Sequence, residues 1–373
     1  MKFKLVLAIT AAPLALAAMP AQAQVAGDII ADSYICTFKA GSVGRGAEMS
    51  EANRSVNAGG GQLKHVYSAS IRGFSTHMPA QALGRMMAGN PNIQTCEPDR
   101  VATLGQVQSK GKPGGGGGTQ PAQSLPWGIA RVGGGTTTSA STAWVIDSGI
   151  QLSHPDLNVD LVRSRSFLGG RTTADDQNGH GTHVAGTIGA KDNAIGVIGV
   201  APGALVVAVR VLDRSGSGSN SGVIAGVDYV AANGQPGDVA NMSLGGGIST
   251  ALDNAVIAAA ATGVRFALAA GNESNDANTH SPARANGANV YTVSAFRAGD
   301  IWSTFSNFGN PPIDYAEPGQ AILSTWTGSG YNTISGTSMA TPHLAGLLLL
   351  GPVRNGGTVT GDPDGNPDVI GIR

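Results

Sequence analysis

The stretch Ala143-Trp-Val-Ile-Asp-Ser-Gly-Ile150 sets an apolar, strand-like run directly before an acidic side chain, Asp147. Similar short apolar runs recur later in the chain, separated by stretches of helical composition. The strand candidates are 143–146, 205–211, 239–242, 265–270 and 290–294, and the helix candidates are 180–189, 222–232, 250–262 and 339–350. Strands that alternate with helices predict an α/β fold with a doubly wound, mostly parallel sheet and helices on both faces.

Two later segments also place one reactive side chain among glycines and small residues. Asn178-Gly-His-Gly-Thr-His-Val-Ala-Gly186 carries His180, and Ser335-Gly-Thr-Ser-Met-Ala-Thr-Pro342 carries Ser338. A carboxylate, an imidazole and a hydroxyl are the groups that make serine a nucleophile, because the imidazole takes the hydroxyl proton and the carboxylate orients the imidazole. Sites in open α/β sheets form beyond the carboxyl ends of the strands. Asp147 is expected at a strand end and the other two at helix starts, so all three are expected to converge there.

These segments resemble those of the subtilisin-like serine peptidases, the subtilase family, whose triad has the same chain order, Asp, His, Ser. A fourth segment, Ala269-Ala-Gly-Asn-Glu273, resembles the family's oxyanion segment, with Asn272 as the amide donor. The resemblance covers nearly all of residues 24–350. It implies a serine endopeptidase in which Ser338 is the nucleophile, His180 the base and Asp147 the group that orients the imidazole.

Two more segments resemble the family's substrate-flanking segments, Gly216-Ser-Gly218 and Asn241-Met-Ser-Leu-Gly-Gly246. The resemblance implies that they bind an extended peptide as an added strand, through backbone hydrogen bonds. The alternative for 216–221 is a plain flexible loop. Asn220 stands where many relatives carry a large aromatic residue, and 273–280 is shorter than in typical subtilisins. The implied substrate-binding residues are Gly216, Ser217, Gly218, Ser243, Leu244, Gly245, Ala270 and Gly271.

The resemblance also implies a structural Ca²⁺ site. The family's site takes oxygens from three separated segments, and hard oxygen ligands suit this cation. Ordinary turn residues are the alternative interpretation, and 362–368 is expected to form solvated turns. The matching residues are Gln123, Asp156, Lys191, Asn193, Ile195 and Val197, of which Lys191, Ile195 and Val197 would offer only backbone carbonyls.

The N-terminus predicts export. Met1-Lys-Phe-Lys4 is basic, an apolar run follows over 5–19, and Ala21-Gln-Ala23 has the pattern of a signal peptidase site, so 1–23 is expected to be a secretory signal. A membrane anchor is the alternative, but about 15 apolar residues are short for a span. The protein is therefore expected outside the cell, or in the periplasm if the host has an outer membrane.

Residues 24–104, called the first unit below, resemble the family's inhibitor-type pro-peptide domain through Gly73-Phe74 and Glu97-Pro-Asp-Arg100. The resemblance implies a small ferredoxin-like α+β unit that assists folding and then blocks the active site. The first and last strands of such a unit are neighbours and export favours oxidation, so Cys36 and Cys96 are expected to form a disulfide. A strand is expected at 32–39, a second strand that runs into a turn at 65–74, a helix at 78–87 and an extended segment at 92–100.

A Gly-rich linker is expected over 105–121, followed by a catalytic unit over 122–373 whose start at Ala122 resembles that of a mature subtilisin. Only 13% of the 373 residues are charged and the net charge is −1, so nothing indicates nucleic acid or an anionic membrane surface as a partner. A monomer that acts on polypeptides is expected.

Two alternatives have different chemistry. One is a catalytically silent secreted binding protein on the same fold. The other is a metal-dependent hydrolase that uses His180 and His183, although the histidines of zincin-type pairs are four residues apart with a glutamate between them.

Overall fold

The computed structural model describes residues 25–105, 108–109 and 120–373. The expected signal peptide and most of the expected linker lie outside the described residues. None of the helices within the described ranges is long and apolar enough to cross a membrane.

The first unit is a four-stranded antiparallel sheet with two helices. Its strands lie in the order β4-β1-β3-β2, which confirms the ferredoxin-like arrangement. Cys36 and Cys96 lie directly opposite each other on β1 and β4 and are joined by a disulfide, with their Cα atoms 4.0 Å apart. The elements are β1 (Ile29–Phe38), α1 (Glu48–Gly59), β2 (Gln62–Tyr67), β3 (Gly73–His77), α2 (Ala80–Gly89) and β4 (Ile93–Thr103).

The strand running into a turn that is expected over 65–74 is present, but its strand part ends at Tyr67, and residues 73–74 belong to the next strand. This stretch contains the end of β2, a turn and the start of β3. The backbone N–H groups of Ser68, Ala69 and Ser70 all donate to the carboxylate of Asp228, which lies in the catalytic unit. The acid that stabilises this turn is 158 residues away from Ser70 in the sequence, so the neighbouring residues do not reveal where the turn lies.

The catalytic unit is built on a nine-strand path, in the order β19-β20-β16-β14-β13-β11-β6-β9-β7, that is parallel from β20 to β7. The strands are β5 (Gln108–Ser109), β6 (Ala143–Asp147), β7 (Asn158–Val159), β8 (Arg165–Ser166), β9 (Leu205–Arg210), β10 (Ser217–Ser219), β11 (Val239–Met242), β12 (Gly245–Gly246), β13 (Arg265–Ala269), β14 (Val290–Arg297), β15 (Ile301–Trp302), β16 (Ile313–Pro318), β17 (Ile322–Trp326), β18 (Gly330–Ser335), β19 (Arg354–Thr358) and β20 (Val369–Ile372). The helices are α3 (Trp127–Arg131), α4 (His180–Gly189), α5 (Asn220–Asn233), α6 (Thr250–Ala260) and α7 (Thr337–Leu350), with one 3₁₀ turn at Ala277–Thr279.

The central strand β6 shows why the sheet is covered on both faces. Its side chains alternate between two apolar clusters, because successive residues of a strand point to opposite faces. Trp144 and Ile146 pack in the cluster that contains α5 and α6, whereas Val145 packs in the cluster that contains α4 and α7. All of β6 is buried. The doubly wound α/β fold is thereby confirmed.

Candidate active site

Asp147 and His180 form a close buried pair at the carboxyl edge of the sheet. Asp147 is the last residue of β6, and His180 is the first residue of α4. The His180 Nδ1 atom lies 2.9 Å from both carboxylate oxygens of Asp147. The other ring nitrogen, Nε2, has no hydrogen-bond partner within the described part of the chain. This arrangement fixes the ring through Nδ1 and leaves Nε2 available to exchange a proton.

Ser338 lies at the start of α7, which packs against α4. Its hydroxyl donates to the carbonyl oxygen of Ser243 at 3.2 Å, and the Ser243 hydroxyl donates in turn to the Ser338 carbonyl at 2.9 Å. Ser243 directly follows β11, the neighbour of β6 in the sheet. The predicted acid, base and hydroxyl are therefore at the same edge of adjacent parallel strands.

Asn272 follows β13, the next strand along, and its amide is held in one orientation. Its Oδ1 accepts hydrogen bonds from the backbone N–H and the Oγ1 of Thr337, at 2.8 and 3.0 Å. The Nδ2 group donates no hydrogen bond to any residue that the structure describes, and Asn272 lines the same cavity as Ser338. Thr337 was missed from the sequence, although it directly precedes the predicted nucleophile.

Asp176 is a second residue that sequence reasoning missed. This buried carboxylate accepts hydrogen bonds from the backbone N–H groups of Asn178, Gly179 and Thr182, and so caps the first turn of α4, where His180 lies. Burial raises its pKa. Gly179 has φ of +115°, and a Cβ there would overlap the Trp326 ring, so glycine is required before the histidine. An acid shortly before the predicted start of a helix is a known sign of an N-terminal cap, and Asp176 could have been identified from it.

His183 and His343 make different contacts from His180. The His183 Nε2 atom lies 3.0 Å from the carbonyl oxygen of Ile322, and burial lowers the pKa of His183 to about 3. The His343 Nδ1 atom lies 2.8 Å from the Met339 carbonyl, and burial lowers the pKa of His343 to about 4. Across the described ranges, no three His, Cys, Asp or Glu side chains are grouped so as to hold a metal ion.

The expected substrate-flanking segments hold a piece of the chain itself. The end of β4, Val101–Thr103, pairs antiparallel with β10 on one side, and Ala102 and Thr103 pair antiparallel with β12 on the other. Leu104 continues this contact, with its N–H donating to the Gly216 carbonyl at 3.0 Å. Thr103 and Leu104 border a cavity of about 730 Å³, whose other lining residues include Gly216, Ser217, Leu244, Gly245, Ala270 and Gly271. Asn220 lies apart from it, buried as the first residue of α5.

Two carboxylates of the first unit cap helices of the catalytic unit. Glu97 accepts a hydrogen bond from the Ser249 hydroxyl at 2.5 Å, at the start of α6. Asp99 accepts hydrogen bonds from the backbone N–H and the hydroxyl of Ser221, at the start of α5. Helix N-termini favour negative charge because their first N–H groups have no partner within the helix. With the turn bound by Asp228, these contacts fix the first unit against the catalytic unit on either side of β4.

The six residues expected to bind Ca²⁺ are close to one another. The Asp156 carboxylate is fully buried and accepts hydrogen bonds from Asn193 Nδ2 at 2.8 Å and from the Val197 N–H at 3.2 Å. Burial raises the pKa of Asp156. Gln123 Nε2 donates to the Lys191 carbonyl at 3.1 Å, and Ile195 N–H donates to Asn193 Oδ1 at 2.7 Å. The donor set of one carboxylate, two amides and backbone carbonyls has the chemistry that Ca²⁺ requires.

Comparison with known proteins agrees with this geometry. Residues 138–351 match the model of the subtilase family. A solved structure described as a cold adapted subtilisin-like serine proteinase is 41% identical with a TM-score of 0.59, covering 65% of this chain and 96% of that one.

Curated relatives give the same assignment. The extracellular serine proteinase of Thermus sp. (strain Rt41A) is 41% identical over 80% of this chain and 71% of its own length. The subtilisin-like serine protease AsES of Sarocladium strictum is 35% identical over 92% of this chain and 90% of its own. Alkaline serine exoprotease A of Vibrio alginolyticus is 42% identical over 78% of this chain, which spans about half (53%) of that relative. The chain belongs to the subtilase family and is a serine endopeptidase, a hydrolase of peptide bonds.

Proposed function

We propose that Ser338, His180, Asp147 and Asn272 carry out peptide hydrolysis in an exported zymogen. The observation that carries the proposal is the fixed pair of Asp147 and His180, with a free Nε2, at the sheet edge where Ser338 and Asn272 share a cavity. A silent binding protein on this fold would not need such a pair.

In the proposed reaction, the Ser338 hydroxyl leaves its hydrogen bond to Ser243 and gives its proton to His180 Nε2 as the oxygen attacks the substrate carbonyl. Asp147 stabilises the imidazolium that forms. Asn272 Nδ2 and the Ser338 N–H donate to the oxyanion, where the start of α7 adds a favourable dipole. His180 then protonates the leaving amine, and water resolves the acyl-enzyme by the reverse proton transfers.

The proposed substrates are extended polypeptides. β10 and β12 leave a gap of one strand between them, and in this structure the gap holds Val101–Thr103 through backbone pairing. Backbone pairing is independent of side-chain identity, so it favours broad substrate use, with selection left to the cavity beside Leu244 and Ala270.

We also propose that the first unit is a pro-peptide that inhibits the enzyme until it is removed. Its last strand fills the substrate gap, and Glu97 and Asp99 hold it there. The disulfide and the naming of a relative as extracellular support export, with 1–23 as the signal. We propose that the protein acts as a monomer.

We propose that Gln123, Asp156 and Asn193, with the carbonyls of Lys191, Ile195 and Val197, hold a structural Ca²⁺ ion. A bound Ca²⁺ would neutralise the buried Asp156 carboxylate. Gln123 is hydrogen-bonded to Lys191 and Asn193 in the loop after α4, so a cation here would strengthen an existing contact between two segments. None of these residues belongs to the proposed catalytic set, so the cation would contribute to stability and not to the reaction. EDTA should therefore lower Tm while leaving initial activity at low temperature unchanged.

The test of the catalytic assignment uses the full chain, expressed in a host without other secreted proteases. Phenylmethylsulfonyl fluoride should abolish casein hydrolysis and leave its adduct on Ser338, located by peptide mass spectrometry. Ser338→Ala should be inert and remain unprocessed, since loss of the subtilisin nucleophile costs about 10⁶-fold in kcat. Activity that survives both treatments would contradict the proposal.

A further inference from the structure

We propose that the processed enzyme binds an acidic side chain of its polypeptide substrates at the start of α5, beside Ser221, where Asp99 of the first unit lies in this structure. The inference rests on the proposed function and adds to it a class of substrate, polypeptides with an acidic residue several positions before the bond that is cut. Ser221 is not among the residues that line the cavity around Ser338, so the site is separate from the place of reaction.

The start of α5 holds a carboxylate in this structure. Asp99 accepts hydrogen bonds from the Ser221 backbone N–H at 3.0 Å and from the Ser221 hydroxyl at 2.5 Å. The first N–H groups of a helix have no partner within the helix and carry a partial positive charge, so they attract a negative group. When the first unit is removed, this N–H and this hydroxyl lose the acid that they bind.

A second polar group at the same helix start has no partner. Asn220 is the first residue of α5 and is only 1% exposed. Neither Oδ1 nor Nδ2 of its side-chain amide makes a hydrogen bond within residues 25–105, 108–109 and 120–373. A buried amide is costly unless a ligand or a water molecule pairs with it. Asn220 therefore gives the start of α5 a polar group beyond those that Asp99 uses.

The register of β4 against β10 leads an extended chain from the substrate gap to the start of α5. Val101 of β4 lies opposite Ser219, the last residue of β10. Asp99, two residues earlier in the first unit, contacts Ser221, two residues later in the catalytic unit. An extended substrate that pairs with β10 in this register therefore brings to the start of α5 its own residue two positions before the one opposite Ser219.

The other end of the same strand gives the distance from the cleaved bond. The N–H of Leu104 donates to the Gly216 carbonyl at 3.0 Å, so the chain is held along this side of the gap as far as Leu104. Leu104 also borders the cavity that contains Ser338. Asp99 lies five residues before Leu104. In a substrate bound in the same way, the acid lies at least five residues before the residue whose carbonyl is attacked.

The start of α6 is a weaker place for an acid. Glu97 of the first unit accepts a hydrogen bond there from the Ser249 hydroxyl at 2.5 Å. The first turn of α6 already contains an acid, Asp253, whose Oδ2 lies 2.9 Å from Arg284 Nε. Burial raises the pKa of Asp253 to about 6, and the negative charge of Glu97 contributes to this rise. The first turn of α5 has no acidic residue, so an acid of the substrate meets less repulsion there.

The first unit itself makes the binding of Asp99 less favourable than that of a substrate acid. Tyr67 donates to the Ser221 carbonyl at 3.0 Å, and Ser33 donates to Asp99 at 3.2 Å, so the first unit encloses the contact. Burial accordingly raises the pKa of Asp99. A substrate peptide brings neither Tyr67 nor Ser33. Its acid is less buried and ionises more readily.

The experiment measures kcat/KM of the enzyme, processed from the full chain and freed of the first unit, on internally quenched peptides. Each peptide contains Val-Ala-Thr-Leu, the sequence of 101–104, between a preceding run of serine residues and one constant following segment. Aspartate, or asparagine as its neutral counterpart, replaces the single serine that corresponds to position 97, 98, 99 or 100. Mass spectrometry confirms that every peptide is cut at the same bond.

Aspartate at the position of 99 should raise kcat/KM roughly threefold or more over asparagine, since a helix cap is worth about 2- to 30-fold. The gain should be smaller at the position of 97. No gain is expected at 98 and 100, because alternate side chains of an extended chain point to opposite faces. In about 1 M salt the gain at 99 should fall, because salt screens the attraction between charges.

Ser221→Asp is the matched change in the protein. Aspartate suits the first turn of a helix, but it places a negative charge where the acid of the substrate binds. The gain from aspartate at 99 should therefore disappear in this variant. Asn355→Asp adds the same charge at an exposed position of the edge strand β19 and should keep the gain of the wild type.

The outcomes separate this proposal from the proposed function. Equal kcat/KM for aspartate and asparagine, an equal gain at all four positions, or a gain that persists in Ser221→Asp would overturn the acidic site while peptide hydrolysis stands. Failure to cut any of the peptides or casein would contradict the proposed function itself. If Ser221→Asp does not accumulate as folded protein, the dependence on position in the wild type still decides.

Discussion

Asp99 accepts hydrogen bonds from both the backbone N–H and the hydroxyl of Ser221, at 3.0 and 2.5 Å, so an acid of the first unit caps a helix of the catalytic unit. The same carboxylate also accepts from Ser33 Oγ at 3.2 Å within the first unit. Asp99 lies two residues before Val101, the first residue of the segment that fills the substrate gap. The cap therefore holds the inhibitory strand close to the site that it blocks.

Asp99→Ala should weaken inhibition by the first unit. Loss of an N-terminal helix cap costs about 0.5–2 kcal/mol, which corresponds to roughly 2- to 30-fold weaker binding. After processing, the complex is diluted and the lag before full casein hydrolysis is measured, and the variant should show a shorter lag. Lys64→Ala, an exposed change in the same unit, should behave as the wild type. Identical lags for all three proteins would rule out the capping role.

Asn272→Ala should lower kcat with little change in KM. In the proposed reaction its amide donates to the oxyanion, and removal of one such donor costs about 10²–10³-fold in kcat. Asn278→Ala is the matched control, because Asn278 is exposed in the segment that follows. The two constants are measured on a soluble peptide substrate with protein processed to completion. A rise in KM at unchanged kcat would mean that Asn272 only binds the ground state.

Peroxide should inactivate the processed enzyme through Met339. This side chain is fully buried in the cluster that contains α4 and α7 and directly follows Ser338, so a polar sulfoxide would disturb the start of α7. Met242 is also fully buried and is the only other methionine after the first unit. Met339→Leu should therefore retain activity in peroxide, whereas Met242→Leu should lose it as the wild type does. Equal loss in both variants would refute the assignment.

The sequence predicted those parts of the fold whose signal is local. The strands β6, β9, β11, β13 and β14 are short apolar runs, and α4, α5, α6 and α7 have helical composition between or after them. The reactive groups were also found locally, because His180 and Ser338 lie among glycines and small residues and Asp147 ends an apolar run.

The strands β16, β17 and β18 were missed because polar side chains interrupt their apolar pattern. Ser324 and Thr325 in β17 are buried, with their hydroxyls donating to the carbonyls of His183 and Thr182 at 2.7 Å. These partners lie 141 and 143 residues away in the sequence. A buried polar strand cannot be told from a loop when its hydrogen-bond partners are so distant.

The supporting residues of the site were missed for the same reason. Thr337 orients Asn272 across 65 residues, and its role exists only once β13 and α7 have packed. Asp176 and the N–H group of Thr182 that it accepts from are only six residues apart in the sequence. An acid in a loop is common, however, and its capping role is recognised only when the start of α4 is known. Chemistry-bearing groups can be identified from their neighbours in the sequence, whereas positioning residues require the three-dimensional contacts.

Glu317 in β16 is a buried carboxylate outside the site. It is fully buried, and neither of its oxygens has a hydrogen-bond partner in the described ranges. Burial raises its pKa well above the ordinary value, and the nearby positive charge of Arg131, which is itself paired with Asp300, opposes this only in part. The protonated form is consequently the one that the fold favours.

Glu317→Gln should stabilise the protein at alkaline pH and have little effect in acid. Because the folded-state pKa is raised, the wild type has the full stability contribution of this group below the unfolded pKa, near 4.3, and loses it as the pH rises toward the folded pKa. Glutamine keeps the shape without the ionisable proton. In the Ser338→Ala background, which prevents self-digestion, Tm at pH 8 should be roughly 3 °C or more higher than with Glu317, and the two should converge near pH 4. The exposed Asp364→Asn should change neither value. A constant difference in Tm from pH 4 to pH 8 would show that ionisation of Glu317 is not the cause.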